Sequence, residues 1–315
     1  MSLVDIIKSA KKTAFSFELL PPLKGNGING VYKTIDTLLE FDPKYINITT
    51  HRSEMIFKES GQGLFGEVSI RKRPGTVAVA AAIKNKYNIP VVPHIICSGF
   101  TREETEYVLI DLKFLNINDL LLLRGDKAKH ETNFNPTGHA YATELQEQVN
   151  RFNEGYFLDG SKMKVIDEPF SYGMACYPEK HEEAPNLESE LYWAKEKVDN
   201  GAEYLVTQMF FDNGKYFDFV EKCREIGIDV PIIPGLKPIT LKNQLTVLPK
   251  IFKSEIPEDF AAELRKCKTD EEAVEVGVEW CTRQAKDLIA HSVPSIHFYS
   301  LMATHSVKRV AENVY

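Results

Sequence analysis

Eight short apolar segments alternate with helical patterns from one end of the chain to the other, and this alternation constrains the fold most. The predicted strands are residues 13–20, 44–49, 90–97, 119–124, 170–176, 203–210, 230–235 and 295–299. The clearest predicted helices are residues 71–87, 102–116, 188–200 and 215–227. Eight strands that are each followed by a helix predict an α/β fold, a closed (β/α)8 TIM barrel. An open doubly wound sheet is the alternative, although it usually has fewer strands.

The open-sheet alternative often carries a glycine fingerprint after its first strand, and the pattern G-x-G-x-x-G occurs here twice. Residues 25–30 are separated from the first predicted strand by Pro21-Pro22-Leu23-Lys24, and residues 61–66 follow no predicted strand. Neither copy has the tight strand-to-helix turn that a pyrophosphate site requires. We therefore expect glycine-rich loops at the barrel mouth.

Residues 51–70 and 127–169 lack the hydrophobic periodicity of a helix or a strand. They are predicted to be long βα loops after the second and fourth strands. Residues 253–290 predict extra helix before the last strand. With 315 residues, the chain is predicted to form a single catalytic domain over 1–315, with no regulatory domain.

Composition excludes several classes of function. The formal net charge is −7 and the longest basic cluster is Arg71-Lys72-Arg73, which argues against nucleic-acid binding. Five cysteines lie far apart without a Cys-x-x-Cys pair, so neither a disulfide framework nor a metal site is indicated. No run of about 18 apolar residues predicts a membrane span. The first eight residues predict a short amphipathic helix and no signal peptide, so a cytoplasmic protein is expected.

The run Leu120–Leu123 leads directly into Arg124-Gly125-Asp126. An unbroken apolar run is typical of a strand that is buried on both faces. In (β/α)8 barrels, the carboxyl ends of the strands carry the chemistry. The charged pair is therefore a candidate for function, and an exposed turn is the alternative.

Three other strands carry a polar side chain that could serve chemistry. Glu18 lies among apolar residues, where desolvation favours the neutral, proton-donating carboxyl; a buried glutamate paired with an arginine is the alternative. His94 is either a ligand contact or a core histidine. Gln208, at the end of the sixth strand, suits recognition of a heterocycle, and a structural amide is its alternative. The loop that begins at Tyr177 offers His181 and three acids, but its spacing predicts metal binding only weakly.

Together these motifs resemble the methylenetetrahydrofolate reductase family. The matching segments, in family order, are Phe15–Pro22, Arg73-Pro74-Gly75-Thr76, His94-x-x-Cys97, Leu123–Asp126, Tyr177-Pro178-Glu179-x-His181, Gly201-Ala202, Gln208-x-Phe210-Phe211-Asp212 and His297-Phe298-Tyr299. The resemblance implies a (β/α)8 barrel with FAD at its mouth. It implies hydride transfer from NADH or NADPH to FAD, and then to 5,10-methylenetetrahydrofolate to give 5-methyltetrahydrofolate.

The resemblance also implies roles for individual residues. Glu18 matches the general acid, Asp126 a carboxylate near both flavin and folate, and Gln208 a substrate contact. The implied FAD contacts are Thr49, Thr50, His94, Arg124, Gly125, Asp126, Tyr141, Ala142, Tyr177, His181, Ala184, Glu190 and Lys197. Of these, Arg124 and Lys197 are expected to contact the pyrophosphate.

This sequence departs from the family pattern at several positions. Glu190 stands where aspartate is usual, and Ala303 stands where many members carry an arginine for the substrate carboxylate. Lys237 and Lys242 follow the seventh predicted strand and are candidates to replace that contact. The regulatory C-terminal domain of eukaryotic members is not expected here. The protein is expected to form a homo-oligomer.

Two other functions stay open at this point. One is a flavin barrel that reduces another carrier or takes electrons from a protein donor. The other is a non-catalytic partner subunit with the same fold. Retention of Glu18, Asp126 and Gln208 together favours an enzyme.

Overall fold

The structure is a computed structural model that describes residues 2–59, 61, 63–127, 136–164, 168–301 and 303–315. The strands are β1 (Ala14–Leu19), β2 (Tyr45–Ile48), β3 (Glu54–Glu59), β4 (Phe65–Ile70), β5 (Val91–Ile96), β6 (Asp119–Leu123), β7 (Ser171–Cys176), β8 (Tyr204–Thr207), β9 (Ile232–Ile233), β10 (Gly235–Leu236) and β11 (Ser295–Phe298). The helices are α1 (Leu3–Ser9), α2 (Asn29–Leu38), α3 (Thr76–Tyr87), α4 (Arg102–Phe114), α5 (Ala142–Asn153), α6 (Leu187–Asp199), α7 (Asn213–Glu225), α8 (Gln244–Phe252), α9 (Glu258–Lys266), α10 (Asp270–Ala290) and α11 (Thr304–Glu312), with a 3₁₀ turn at Leu39–Phe41.

Each of the eight predicted strands contains an observed strand, and the predicted fold class, an α/β (β/α)8 barrel, is confirmed. The seventh strand is divided into β9 and β10 at Pro234. Proline has no N–H to donate to a neighbouring strand, which accounts for the interruption. Its carbonyl oxygen still accepts a bond of 2.9 Å from the backbone N–H of His297.

The chain divides into two compact units. The first comprises Met1–Leu19, Lys33–Asn47 and Ser171–Tyr315. Its strands follow the orders β10-β11-β1-β2 and β7-β8-β9. All six residues of β1 are buried, and the Phe15 ring centroid lies 5.8 Å from that of Phe17 and 5.5 Å from that of Phe298. This apolar layer fixes β1 beside β11, and it thereby also fixes the residues at the carboxyl ends of both strands.

The second unit comprises Leu20–Tyr32 and Ile48–Phe170. In it, β5 and β6 pair in parallel, with His94 opposite Leu121 and Ile96 opposite Leu123. The antiparallel hairpin β3–β4 occupies the stretch predicted to be an irregular loop, so that prediction was wrong there. The second glycine-rich stretch forms the turn and the start of β4, except for residue 62, which lies outside the described residues.

The second long loop also contains more structure than predicted. Helix α5 occupies residues 142–153, with Leu145, Val149 and Phe152 buried along one face. Residues 128–135 and 165–167 of the same stretch lie outside the described residues. The loop is therefore a connection that carries a helix of its own.

Several helices end at capping residues that the local sequence supplies. Thr101 and Glu104 form a capping box at the start of α4, with both side-chain to backbone bonds present. Gly201 and Gly227, just after α6 and α7, have φ values of +110° and +77°. Such left-handed backbone favours glycine, which accounts for a glycine just after each of these helices.

All five cysteines are buried and reduced. Within the described ranges, no three His, Cys, Asp or Glu side chains gather as a metal site would require. The described helices include none with the length and apolar character needed to cross a membrane.

Candidate active site

Three adjacent parallel strands place Glu18, Tyr299 and Lys237 in one row. Phe17 pairs with Phe298, and Phe298 pairs with Leu236. Glu18, Tyr299 and Lys237 each come directly after one of these paired residues, at the carboxyl ends of β1, β11 and β10. In-register residues of neighbouring strands project to the same face of a sheet, so the three side chains share one face.

Glu18 is the buried acid of this row, with 4% of its surface exposed. Burial raises the pKa of its carboxyl to about 8, while the positive charge of Lys237 opposes that rise. Its backbone carbonyl accepts a bond of 2.5 Å from the Ser300 hydroxyl. Glu18 therefore holds a proton at neutral pH, as the sequence predicted, and the charge acting on it comes from a lysine.

Tyr299 is fixed on several sides. Its hydroxyl donates a bond of 2.5 Å to the backbone oxygen of Thr207, and its ring centroid lies 5.2 Å from that of His297 in a T-shaped contact. A Cβ built on Gly235 would come 2.5 Å from its ring. Burial raises the pKa of Tyr299 well above its usual value, so this side chain stays neutral.

A column of buried polar side chains continues below this row on β1, β2 and β11. Ser16 Oγ lies 3.0 Å from His297 Nδ1, and Asn47 Nδ2 lies 3.4 Å from the same nitrogen. Tyr45 and Ser295 join through their hydroxyls at 3.1 Å. Sequence reasoning did not assign these residues to a site, although the alternation Ser295, His297, Tyr299 in β11 was a visible signal.

Gln208 follows β8, as expected for a residue at a strand end. Its backbone N–H donates a bond of 2.9 Å to the carbonyl of Cys176. Its side-chain oxygen Oε1 accepts a bond of 2.9 Å from the Met209 backbone N–H. This bond orients the amide, and its predicted contact with substrate stays a prediction.

The loop after β7 brings Tyr177, His181 and Ala184 together. The ring centroids of Tyr177 and His181 are 4.9 Å apart in a T-shaped arrangement. The carbonyl of Ala184 accepts a bond of 3.0 Å from Lys180 Nζ, and its N–H donates one of 3.0 Å to the carbonyl of His181. The loop is thus held by its own contacts and, among the described residues, does not present a metal-binding geometry.

Glu190 and Lys197 lie behind that loop, on α6. Glu190 Oε2 accepts a bond of 3.2 Å from the His181 backbone N–H, while Oε1 is buried and has no partner among the described residues. Lys197 Nζ donates a bond of 2.8 Å to the carbonyl of Ala175. Burial raises the pKa of Glu190 and lowers that of Lys197, and the opposite charges act against both shifts.

The other predicted cofactor contacts lie in the second unit, at the ends of β2, β5 and β6 and at α5. Thr50 Oγ1 donates a bond of 2.5 Å to the carbonyl of His94, and Thr49 Oγ1 lies 3.4 Å from His51 Nε2. Burial lowers the pKa of His94 to about 3, and the nearby His51 acts in the same direction. The His94 ring is therefore neutral.

Arg124 leaves β6 and reaches back to the start of α5. Its Nε donates a bond of 3.0 Å to the carbonyl of Ala140, and its guanidinium lies 4.8 Å from the Tyr141 ring centroid. Tyr141 caps α5, and Ala142 is the first residue of that helix. The Arg124 guanidinium is thereby held in a defined orientation.

The Gly125-Asp126 turn packs tightly on β5. Gly125 has φ of +77°, and a Cβ there would approach the Cβ atoms of Ser98 and Ile96 at 3.1 and 3.2 Å. The Ser98 hydroxyl donates a bond of 2.6 Å to the backbone oxygen of Asp126 and receives one of 3.1 Å from Arg52 Nη1. The sequence carried no signal for Ser98 beyond its place after a predicted strand.

A protein-family model described as methylenetetrahydrofolate reductase matches residues 3–315 of this chain. The chain belongs to the methylenetetrahydrofolate reductase family. Among its relatives, methylenetetrahydrofolate reductase (NADH) 1 of Arabidopsis thaliana is 29% identical over 327 residues, covering 100% of this chain and 51% of the relative. The 5,10-methylenetetrahydrofolate reductase of Salmonella typhimurium is 29% identical over 291 residues, covering 91% of this chain and 85% of the relative.

A probable methylenetetrahydrofolate reductase (NADPH) of Caenorhabditis elegans is 28% identical, covering 99% of this chain and 43% of the relative. The chain thus spans about half the length of the plant and nematode relatives. Two solved structures share the fold. A Clostridium thermocellum protein described as binding two copies of 5-methyl-5,6,7,8-tetrahydrofolic acid has a TM-score of 0.57 at 13% identity, covering 98% of this chain and 97% of that one. A tryptophan synthase from M. tuberculosis has a TM-score of 0.52 at 10% identity, covering 99% and 96%.

The structure describes each residue at which this sequence departs from the methylenetetrahydrofolate reductase family pattern, and both candidate replacement lysines. Glu190 is 3% exposed, and Ala303 is buried just before α11. Lys237 lies in the row with Glu18. Lys242 is held elsewhere, since its Nζ donates a bond of 3.1 Å to the carbonyl of Lys268.

Proposed function

We propose that this chain reduces 5,10-methylenetetrahydrofolate to 5-methyltetrahydrofolate, with NADH or NADPH as the electron donor and FAD as the cofactor. The observation that carries the proposal is Glu18, a buried, protonated acid at a strand end of a chain that belongs to this family. The names of the relatives support a pyridine nucleotide, since they include both NADH and NADPH forms.

The residues present fit FAD by their chemistry. FAD, when bound, carries hydride between the nicotinamide and the folate. The buried Oε1 of Glu190 is an acceptor suited to a hydroxyl group such as that of a ribose. Arg124 and Lys197 would supply positive charge for a pyrophosphate, while the His94 ring is neutral.

The resemblance implies further FAD contacts in each unit. In the second unit they are Thr49, Thr50, Gly125, Asp126, Tyr141 and Ala142. In the first unit they are Tyr177, His181 and Ala184, on the loop that follows β7.

In the proposed reaction, Glu18 donates its proton to the folate nitrogen that is released as the five-membered ring opens. Proton donation by a positioned carboxyl group whose pKa lies near the working pH is efficient general acid catalysis. Asp126 supplies a negative charge that favours a cationic folate intermediate over the neutral substrate. Gln208 contacts the folate through its amide.

In this function, residues 1–315 form one catalytic domain that acts in the cytoplasm as a homo-oligomer. Its partner is the reduced folate, without nucleic acid or membrane. Its place in metabolism is one-carbon transfer, where methyltetrahydrofolate supplies methyl groups for methionine synthesis.

Anaerobic half-reactions test this proposal. Purified protein should show flavin absorption that is bleached by NADH or NADPH and restored by 5,10-methylenetetrahydrofolate. Protein without flavin absorption would support the non-catalytic subunit. Flavin that is bleached by a nicotinamide but not restored by the folate would support a reductase of another carrier. Flavin that neither nicotinamide bleaches would support a protein electron donor.

A further inference from the structure

We propose that Lys237 is a positioning residue of this site, whose ammonium group sets the pH range over which Glu18 holds the proton that it gives to the folate. This inference rests on the proposed function and assigns a role to a residue that none of the implied catalytic or cofactor contacts includes.

The backbone fixes where Lys237 begins. Gly235 pairs with His297 and Leu236 with Phe298, and the Tyr299 backbone N–H donates a bond of 2.8 Å to the carbonyl of Leu236. Strand pairing therefore continues to the residue before Lys237, and Pro238 restricts the backbone after it. On the other side of β11, β1 is in register up to Phe17, one residue before Glu18.

Glu18 and Lys237 act on each other electrostatically. The charge that acts on Glu18 is that of Lys237, and the groups that act on Lys237 are Glu18 and Cys281 of α10. Burial raises the pKa of Cys281 to about 12, so its thiol is neutral. Removing the lysine charge should therefore be felt mainly by Glu18.

The remaining titratable groups face Tyr299, which lies between them in the row. They are Tyr45, Cys176 and Tyr177, which act on it electrostatically, and His297, whose ring contacts it. Burial raises the pKa of Tyr299, Tyr45 and Cys176, so these three groups carry no charge near neutral pH. Glu18 and Lys237 are consequently the two members of the row that can carry a charge near neutral pH.

The positive charge of Lys237 has its largest effect after Glu18 has given up its proton. Glu18 gives up a proton and becomes a buried carboxylate, a state that is costly when it is isolated. The positive charge of Lys237, in the same row, reduces that cost, and the proton is later regained from solvent. Burial alone would make Glu18 a weaker acid, and Lys237 restores part of its acid strength.

The competing role for Lys237 is the one suggested by Ala303, a contact with the carboxylates of the folate tail. The row favours the acid-tuning role, because the ammonium group already interacts electrostatically with the buried carboxyl of Glu18. Lys242, on the same segment, is the matched comparison. Its backbone N–H bonds to Asp270 Oδ1 at 2.9 Å, and no effect of its charge on Glu18 is found.

The test is an infrared titration of Glu18 in the purified protein, followed by the carbonyl stretch of its protonated carboxyl group. The Glu18→Gln variant identifies the band by difference. In Lys237→Met and in Lys237→Gln, the midpoint should rise by about one pH unit or more, the usual effect of losing a close opposite charge. Lys237→Arg keeps the charge and should restore the midpoint, and Lys242→Met should leave it unchanged.

The same variants are then compared in the folate half-reaction as a function of pH. The alkaline fall in rate should move upward in Lys237→Met by the shift seen in the infrared, while flavin reduction by the nicotinamide keeps its pH profile. An unchanged infrared midpoint in both neutral variants would overturn the inference. So would a higher KM for folate with an unchanged pH profile, which would assign Lys237 to the tail. If the infrared shift is seen but the wild type does not reduce the folate, the proposed function fails and the coupling of the two residues stands.

Discussion

The ring of Tyr299 lies against Gly235 so closely that a Cβ at Gly235 would come within 2.5 Å of ring atom Cε2 and 2.6 Å of the Thr207 backbone oxygen. The hydroxyl group of Tyr299 donates a hydrogen bond to the same oxygen. Glycine is therefore required at this position by the approach of its neighbours, and its φ plays no part.

Gly235→Ala should lower the free energy of unfolding by about 1–3 kcal/mol, the usual cost of an extra methyl group in a packed region. Urea denaturation measures it. Gly66→Ala is the control, because a Cβ at Gly66 has no described atom within 4 Å, and it should change stability by less than about 0.5 kcal/mol. Equal effects in both variants would mean that Tyr299 moves aside without cost.

Glu18→Gln should slow reduction of the folate by about 10² or more, the scale of a lost general acid. Flavin binding and flavin reduction by NAD(P)H should remain close to those of the wild type. Stopped-flow measurement of the two half-reactions separates these effects. A folate rate near that of the wild type would remove Glu18 from the mechanism.

The same substitution should change how stability depends on pH. Because the pKa of Glu18 is about 8 in the folded chain and 4.5 in the ordinary case, the folded state binds this proton more tightly. That stability is fully present below about pH 4.5 and is lost as the pH rises towards 8, with a slope of at most about 1.4 kcal/mol per pH unit. Urea denaturation between these pH values should show a weaker fall in Glu18→Gln than in the wild type. Parallel curves would place the titration on another group.

His94 should make the protein sensitive to acid. Its pKa is lowered from 6.5 to about 3, so the folded state disfavours the charged ring. The corresponding stability is present above pH 6.5 and is lost as the pH falls towards 3. In denaturation measured over this range, His94→Gln should reduce the loss, while His305→Gln, at an exposed position, should not. A similar response in both variants would contradict the role assigned to the buried ring.

Asp126→Asn should raise the midpoint potential of the bound flavin, because it removes a negative charge that opposes reduction. The folate half-reaction should slow more than the nicotinamide one. Redox titration measures the potential, and Asp159→Asn, an exposed aspartate that bonds to Ser161, is the matched change of charge. A potential that is the same in Asp126→Asn and the wild type would place Asp126 away from the isoalloxazine.

The sequence predicted the parallel strands well because their apolar runs are buried on both faces. It missed β3 and β4, whose side chains, such as Phe57 and Phe65, are mostly exposed and leave no burial pattern. It also began α3 too early, since Pro74 and the N-cap Gly75 delay the first helical residue to Thr76. Hydrophobic periodicity therefore locates an element only approximately, and local residues such as proline and the N-cap residue set where it begins.

For the candidate site, the sequence predicted Glu18 as a buried acid, and the structure confirms its burial. The neighbour of Glu18 was not predictable, because Lys237 lies 219 positions away and is brought close by strand register. Register depends on pairing between distant segments, which single-sequence patterns do not contain. The contacts proposed for FAD, such as Arg124 and Glu190, and the substrate contact of Gln208 stay predictions.

The five buried cysteines make the rate of thiol alkylation a measure of how often the core opens. The thiolate is the form that attacks an alkylating reagent, and burial raises the pKa of Cys97, Cys223 and Cys281 to about 12. Alkylation of the native chain should thus wait for an opening of the core, and its rate reports how often the core opens. A fluorescent label could then be attached through one cysteine introduced at the surface, with the native thiols left in place.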